Sequence, residues 1–280
     1  MKHPPLTINC RGSLIDLSTP KVMGILNITP DSFYDGGRYR EEQAMLTQAE
    51  KMIREGAHFI DVGAYSSRPG ADEVSETEEL RRIVPIVTHL TKTFPECPLS
   101  VDTFRSAVAK ACLAVGAAMI NDISGGQLDP EMLDTAAAFQ VPYIAMHSRG
   151  TPKTMMDQTQ YDDLIKEMIF YFSERIATAN QKRLNDLIID PGFGFAKTLE
   201  QNFELLNNLQ LLRNLNRPML IGISRKSMIY KTVKTTPKLA LNGTTALHMI
   251  ALQKGAHILR THDVKEAREC IQLHLALLNP

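Results

Sequence analysis

Residues 21–29 read Lys-Val-Met-Gly-Ile-Leu-Asn-Ile-Thr, a run that is apolar after Lys21 and turns polar at Asn27 and Thr29. A short run rich in Val, Ile and Leu is typical of a β-strand buried on both faces, as in a parallel sheet. The following segment, Glu42–Glu55, has apolar residues three and four positions apart and predicts a helix. The stretch therefore predicts one β-strand followed by one helix.

The same strand–helix unit recurs along the whole chain of 280 residues. The predicted strands are Lys21–Thr29, His58–Ala64, Leu99–Thr103, Met119–Ile123, Pro142–His147, Leu187–Asp190, Met219–Ser224 and His257–Thr261. The predicted helices are Glu42–Glu55, Glu76–Phe94, Ser106–Val115, Glu131–Phe139, Asp162–Asn180, Leu199–Leu215, Lys238–Lys254 and Val264–Leu278. Eight such units favour an α/β fold of the (β/α)8 TIM-barrel type over the alternative, an open doubly wound sheet.

A short β-hairpin is predicted before the first barrel strand. Leu6–Asn9 and Ser13–Asp16 flank Cys10-Arg11-Gly12, a turn-forming sequence. We expect the hairpin to plug the floor of the barrel. The chain is thus predicted to form a single domain, with the hairpin in residues 1–20 and the barrel in residues 21–280.

Charge and cysteine content narrow the classes of partner. Lys and Arg total 31, and Asp and Glu also total 31, so the formal net charge is zero. This balance gives no electrostatic reason to expect nucleic acid or an anionic membrane as partner. The 4 Cys form no Cys-x-x-Cys pair. No long apolar stretch follows the N-terminal residues, as a signal peptide would require, and no apolar run is long enough to span a bilayer. We expect a cytoplasmic protein with reduced thiols.

Polar side chains follow the predicted strands at their carboxyl ends, where barrel enzymes carry their active sites. Any one of them has a structural explanation, such as capping the next helix or forming a turn. Their presence at all eight strand ends instead predicts a polar ligand, because buried polar groups are costly unless they are paired.

The residue types indicate what that ligand contains. Arg68, Arg260 and His262 suit an anion such as phosphate. Asp102, Asn121, Asp190 and Lys226 suit the hydrogen-bonding edge of a flat heterocycle. Asn27 is a neutral oxygen ligand that can complete an octahedral Mg²⁺ shell together with diphosphate oxygens and waters.

Five segments, in this order and spacing, resemble the dihydropteroate synthase family. They are Met23–Phe33 with Asp35-Gly36-Gly37, Asp61–Gly70, Asp190–Phe195, Gly222-x-Ser224–Ser227 and Arg260–Val264. The resemblance runs from about Lys21 to the C-terminus, and it independently implies a (β/α)8 barrel. It implies an enzyme of folate synthesis that joins para-aminobenzoate to 6-hydroxymethyl-7,8-dihydropterin diphosphate and releases diphosphate. It also implies Mg²⁺ as cofactor and a homodimer formed through the last helices.

Carried over residue by residue, the resemblance implies roles for the strand-end residues. Asn27 would bind the metal. The pterin diphosphate would contact Ser67, Asp102, Asn121, Met146, Asp190, Phe195, Lys226, Arg260 and His262. Para-aminobenzoate would lie near Phe33, Arg68, Pro69, Lys226 and Ser227. The catalytic set would be Asp35, Arg68, Asp102 and Lys226.

Two positions depart from the family pattern. Tyr65 stands where the family usually has Glu. Any role of that Glu in positioning the loop after the second predicted strand, here called the second loop, is therefore in question. Ser148 stands where Met is usual, and we expect little effect from it.

Two other functions share part of this pattern. A methyltetrahydrofolate-binding methyltransferase domain would share the Asp and Asn residues but would not need Arg68, Lys226, Arg260 and His262. A non-catalytic pterin-binding paralogue would be expected to lose Asn27, Arg68, Asp102 or Lys226, and all four are present.

Overall fold

The computed structural model describes residues 6–28, 38–65, 74–151 and 153–278, with the backbone alone for residues 38–41. Within these ranges the chain forms a two-stranded antiparallel sheet and an eight-stranded parallel sheet. The strands are β1 Thr7–Cys10, β2 Ser13–Asp16, β3 Lys21–Asn27, β4 Phe59–Gly63, β5 Leu99–Asp102, β6 Met119–Asp122, β7 Tyr143–Met146, β8 Leu187–Asp190, β9 Leu220–Ile221 and β10 Ile258–Thr261.

The parallel strands follow the order β8-β7-β6-β5-β4-β3-β10-β9. A single bridge between Ile189 of β8 and Met219, just before β9, joins the two ends. This closure confirms the predicted (β/α)8 barrel and excludes the open doubly wound sheet.

The helices surround the strands as predicted, with three differences. The helices are α1 Arg38–Arg54, α2 Glu76–Thr93, α3 Ser106–Ala114, α4 Met132–Phe139, α5 Leu164–Gln181, α6 Leu199–Asn208, α7 Ser227–Thr232, α8 Leu241–Gln253 and α9 Val264–Leu278. The predicted helix over Leu199–Leu215 ends at Asn208, whose side chain donates to the carbonyl of Glu204 at 2.9 Å, and continues as a 3₁₀ helix. An Asn side chain that bonds nearby backbone competes with regular helix formation.

The other two helices that differ are α7 and α8, and strand β9 differs as well. The prediction of Met219–Ser224 as a strand was too long, since β9 has 2 residues, and α7 was not predicted because 6 residues are too few to show a helical period. The prediction that a helix begins at Lys238 was also wrong, because Pro237–Leu239 form a 3₁₀ turn before α8.

The hairpin lies against the floor of the barrel. Arg11 and Gly12 have φ of 54° and 92°, so the turn has two residues, and Cys10 belongs to β1 rather than to the turn. Ile8 and Leu17 are buried in one cluster with barrel-interior residues such as Phe59. The hairpin therefore closes the lower end of the barrel and leaves the opposite end for ligands.

Strand register brings the polar strand ends together. Gly63 pairs with Asp102, Asp102 pairs with Asn121, and Met146 pairs with Asp190. Because the strands are parallel, their carboxyl ends share one rim of the barrel.

Candidate active site

A buried ion cluster lies inside the upper barrel. Oδ2 of Asp61, on β4, accepts from Nε of Arg260 at 2.6 Å and from Nδ2 of Asn121 at 2.9 Å. Nη2 of Arg260 donates to Oδ2 of Asp102 at 2.9 Å. The Asp61 side chain is fully buried, and its Oδ1 has no hydrogen-bond partner among the described residues. Buried charges persist when they are paired in this way, and the pairing holds Asp102 and Asn121 at the rim.

The same cluster sets the charges at the rim. Burial raises the pKa of Asp102 to about 7, although the Arg260 guanidinium lowers it and Asp61 raises it further. Burial opposes the charge of Arg260, but Asp61 and Asp102 raise its pKa above the usual range. Arg260 therefore stays cationic, while Asp102 is close to its titration point at neutral pH.

Asp190 and Lys226 form the opposite side of the rim. Oδ1 of Asp190 accepts from the backbone N–H of Gly192 at 2.8 Å. Nζ of Lys226 donates to the carbonyl of Phe193 and lies 4.4 Å from the centre of the Phe195 ring, a cation–π contact. Burial lowers the pKa of Lys226 to about 8, against Asp190, which raises it. Burial likewise raises the pKa of Asp190, against Lys226.

The loop between β8 and α6, which we call the Asp190–Thr198 loop, carries this side. Gly192 has φ of 70°, and a Cβ there would lie 2.1 Å from the carbonyl oxygen of His147, so only glycine fits. Gly194 has φ of 80° and lies against the Lys226 side chain. The Asp-Pro-Gly-Phe-Gly-Phe sequence thus folds closely around Lys226.

A hydroxyl–imidazole pair lies between β9 and β10 at the rim. Oγ of the buried Ser224 lies 3.1 Å from Nδ1 of His262 and also accepts from the His262 backbone N–H at 3.2 Å. Thr261 donates to the same oxygen at 3.2 Å. Ser224 therefore fixes the orientation of the His262 ring beside the strand that carries Arg260.

Asn27 is the last residue of β3, and its side chain is exposed at the mouth, where it pairs in register with Gly63. No group of three or more His, Cys, Asp or Glu side chains within the described ranges is arranged to hold a metal. A single neutral oxygen at an open rim fits Mg²⁺ only when substrate oxygens and waters complete the shell, which is how Mg²⁺ usually binds. Asn27 could therefore contribute one ligand to a metal that is held mainly by substrate oxygens and waters.

The base of the second loop is held by Arg105, just after β5. Its guanidinium bonds to the buried Glu79 of α2 and donates to the carbonyl of Val74 at 2.8 Å. It also lies 5.6 Å from the ring of Tyr65, which packs edge-on against Phe104 at 5.1 Å. Tyr65, at the position where the resemblance leads one to expect Glu, therefore contacts the same arginine through its ring.

The structure brings together every predicted site residue that it describes. Those at the rim are Asn27, Asp102, Asn121, Met146, Asp190, Phe195, Lys226, Ser227, Arg260 and His262. Met146 is buried, and Ser227 begins α7 next to Lys226. Phe33, Asp35, Ser67, Arg68 and Pro69 lie outside the described residues. The roles of all these residues stay predictions.

The sequence analysis places Asp61 and Ser224 in segments that carry the resemblance but assigns them no role, and it does not single out Lys197. A carboxylate in the middle of an otherwise apolar strand was a signal for Asp61, because it requires a buried partner. Ser224 is one of several polar residues at its strand end, and no pattern in the sequence singles it out. Nothing in the sequence distinguishes Lys197 from a solvated lysine.

The comparisons with known proteins agree with this geometry. A family described as pterin binding enzyme matches residues 23–262. The dihydropteroate synthase of Escherichia coli strain K12 is 44% identical over 271 residues, which cover 96% of this chain and 95% of that protein. The Yersinia pestis dihydropteroate synthase with a sulfonamide drug complex has a TM-score of 0.91 and 42% identity, covering 98% of this chain and 100% of that one. The Xanthomonas albilineans enzyme with 4-aminobenzoic acid has a TM-score of 0.91 and 38% identity, covering 99% and 100%.

The barrel, its charged mouth and the matched segment define a pterin-binding barrel enzyme. Identity of this level over nearly the whole chain narrows the class further. The chain belongs to the dihydropteroate synthase family.

Proposed function

We propose that this chain condenses 6-hydroxymethyl-7,8-dihydropterin diphosphate with para-aminobenzoate to give 7,8-dihydropteroate and diphosphate. It is thereby a transferase of folate synthesis. The observation that carries the proposal is the buried cluster of Asp61, Asp102, Asn121 and Arg260, which faces Asp190 and Lys226 across one barrel mouth. Such an array is costly to bury unless a polar ligand uses it.

The heterocycle would lie between these side chains. The carboxylates of Asp102 and Asp190 accept hydrogen bonds from ring N–H and amino groups, and Lys226 donates to a ring carbonyl or nitrogen. Met146 and Phe195 supply apolar surface on the same rim. The ring is thus surrounded by two acceptors and one donor, and none of these three side chains is assigned to the metal.

The diphosphate would lie on the side of Arg260 and His262, toward Ser67 and Arg68. Nε and Nη2 of Arg260 bind carboxylates, so its Nη1 is the group that we assign to the anion. Asn27 would hold Mg²⁺ together with diphosphate oxygens and waters. When bound, the metal neutralises charge on the leaving diphosphate.

Para-aminobenzoate would enter beside Lys226 and Ser227, under the loops that carry Phe33 and Pro69, with Arg68 close to it. Its amine is neutral at pH 7 and needs no strong base. The nitrogen attacks the exocyclic methylene, the methylene C–O bond breaks with its electrons leaving on diphosphate, and the amine then loses a proton. Asp102, and Asp35 on the first loop, would stabilise the positive charge that develops on the pterin. Positioning and electrostatics thus carry the reaction without a covalent enzyme intermediate.

A second copy of the chain is part of the proposal. Leu273, Leu277 and Leu278 of α9 are more than 60% exposed, and Leu239 beside α8 is 72% exposed. An exposed apolar patch of this kind marks an interaction surface. Sedimentation equilibrium should show a dimer, and Leu277→Glu should give a monomer while Leu14→Glu on the hairpin should not. A dimer that persists in Leu277→Glu would contradict this placement.

The cellular location is proposed to be the cytoplasm. All four cysteines are free thiols, which suits a reducing compartment. Among the described residues, no helix has the length and apolar character to cross a membrane.

The proposed activity is tested by diphosphate release from the purified protein. Release should require dihydropterin diphosphate, para-aminobenzoate and Mg²⁺ together, and sulfonamides should compete with para-aminobenzoate. Asp102→Asn should lower the rate at least about tenfold. Asp134→Asn, which removes only an exposed pair with Lys182, should not. A pterin that binds tightly without turnover would instead identify a binding protein.

A further inference from the structure

A buried lysine lies near the end of the Asp190–Thr198 loop. Lys197 precedes Thr198, the N-cap of α6, and only 2% of it is exposed. Within the described part of the chain it forms no ion pair with a carboxylate. Burial lowers the pKa of Lys197 to about 7, although the charge of Asp190 raises it. Without a direct ion pair, the protonated amine must be satisfied by hydrogen bonds, because the cost of burying the charge is otherwise large.

Its three N–H donors match three acceptors at one distance. Nζ lies 3.1 Å from the carbonyl of Gly192, 3.1 Å from the carbonyl of Phe195 and 3.1 Å from Nδ1 of His147. A fourth acceptor, the carbonyl of His147, lies at 3.5 Å. Each N–H of the protonated amine therefore has its own acceptor: two backbone carbonyls and one imidazole nitrogen.

The imidazole partner is consistent with this arrangement. Burial, Lys197 and Arg149 hold the pKa of His147 well below its usual value. A neutral ring protonated at Nε2 accepts at Nδ1. The ring is further fixed edge-on against Tyr171, 4.9 Å between centroids. Lys197 thus links the end of β7 to the loop after β8.

The carbonyls of the loop are divided between two lysines. Lys197 donates to the carbonyls of Gly192 and Phe195, and Lys226 donates to the carbonyl of Phe193, which lies between them in the sequence. Phe195 also carries the ring that faces Nζ of Lys226. A shift of the loop would consequently move Phe195, Lys226 and the Gly192 N–H that binds Asp190.

We propose that Lys197 is a positioning residue whose buried ammonium organises the Asp190–Thr198 loop and thereby places Asp190, Phe195 and Lys226 for the pterin substrate. It touches neither substrate. Its kinetic consequences rest on the proposed function, but its effect on the loop does not.

The first test is hydrogen–deuterium exchange on the free protein. Lys197→Met removes the donors at similar size, and the hydrogen-bonded backbone amides of Gly192, Gly194 and Phe195 should exchange at least about tenfold faster, since they lose local protection. The control is Lys254→Met, which removes a lysine bonded to the carbonyl of Asn207 at 2.7 Å far from the rim. Unchanged exchange in Lys197→Met would overturn the proposal.

The second test is chemical rescue of Lys197→Ala. The KM for dihydropterin diphosphate should rise about tenfold or more, while the KM for para-aminobenzoate changes less. Propylammonium should restore activity saturably, and 1-propanol should not. Loss of activity without amine rescue would mean that only packing was lost and would refute the role of the charge.

The outcomes separate the two proposals. Wild-type protein without turnover contradicts the proposed function and leaves the exchange test in force. Active wild-type protein with an unaffected Lys197→Ala contradicts only the present inference. If Lys197→Ala does not fold, propylammonium should restore soluble folded protein, and failure to do so also counts against the inference.

Discussion

Replacing Asp61 by Asn perturbs the centre of the buried ion cluster while keeping the shape of the side chain. Asp61 Oδ2 accepts from Arg260 at 2.6 Å and from Asn121 at 2.9 Å, and the side chain is fully buried. An amide oxygen can still accept, but its charge is lost and its NH₂ group takes the position of Oδ1, which has no partner among the described residues.

The magnitude follows from these contacts. Removing one partner of a buried ion pair costs about 3–5 kcal/mol, and the retained amide acceptor places Asp61→Asn near the lower end, about 3 kcal/mol. That corresponds to a fall in melting temperature of about 6–12 °C for a chain of this size. Because Arg260 then keeps only Asp102 as partner, kcat/KM should fall about 100-fold.

Thermal unfolding and steady-state kinetics measure both effects. Ser100→Ala is the matched control, since Ser100 pairs with Asp61 across the strands and its buried Oγ has no partner among the described residues. Losing an unsatisfied hydroxyl should change stability by about 0.5 kcal/mol or less. An Asp61→Asn variant with the melting temperature and kcat/KM of the wild type would refute the reasoning.

Four further predictions concern charge at the mouth and at the barrel base. Lys226→Ala should lower kcat/KM at least about tenfold, or about 1.4 kcal/mol. In the wild type, kcat/KM should rise with pH near 7 as Asp102 loses its proton and fall near 8 as Lys226 loses its proton. A flat pH profile of the wild type would contradict the second prediction. Burial lowers the pKa of His58 and of His257 to about 4, so the unfolded state binds more protons than the folded state between about pH 4 and 6.5. The free energy of unfolding should therefore fall as pH falls through that window. Urea unfolding should show a shallower pH dependence of this free energy in His58→Ala, and the same pH dependence as in the wild type would refute the prediction. Arg105→Ala should raise the KM for para-aminobenzoate several-fold with little change for the pterin, whereas equal changes in both constants would refute its place at the base of the second loop.

Local patterns in the sequence predicted the barrel and the residues at its strand ends. Alternating apolar runs and helical periods gave the element order, and Asp102, Asn121 and Asp190 were predicted because each ends a buried strand. Elements too short for a periodic pattern, such as α7 and the 2-residue β9, were missed or misplaced.

Contacts between distant positions were not predictable in the same way. Asp61 and Arg260 are 199 positions apart, and they meet only because β3 pairs with β4 on one side and with β10 on the other. Lys197 gave no sequence signal, because a lysine beside a helix start is usually solvated. Its burial depends on how the Asp190–Thr198 loop folds back over β7.

A single-turnover experiment with enzyme in excess over dihydropterin diphosphate tests the central claim most directly. In the presence of para-aminobenzoate and Mg²⁺, mass spectrometry should find one 7,8-dihydropteroate and one diphosphate per pterin supplied, with no pterin covalently attached to the protein. Pterin recovered unchanged from a saturated, folded protein would contradict the account.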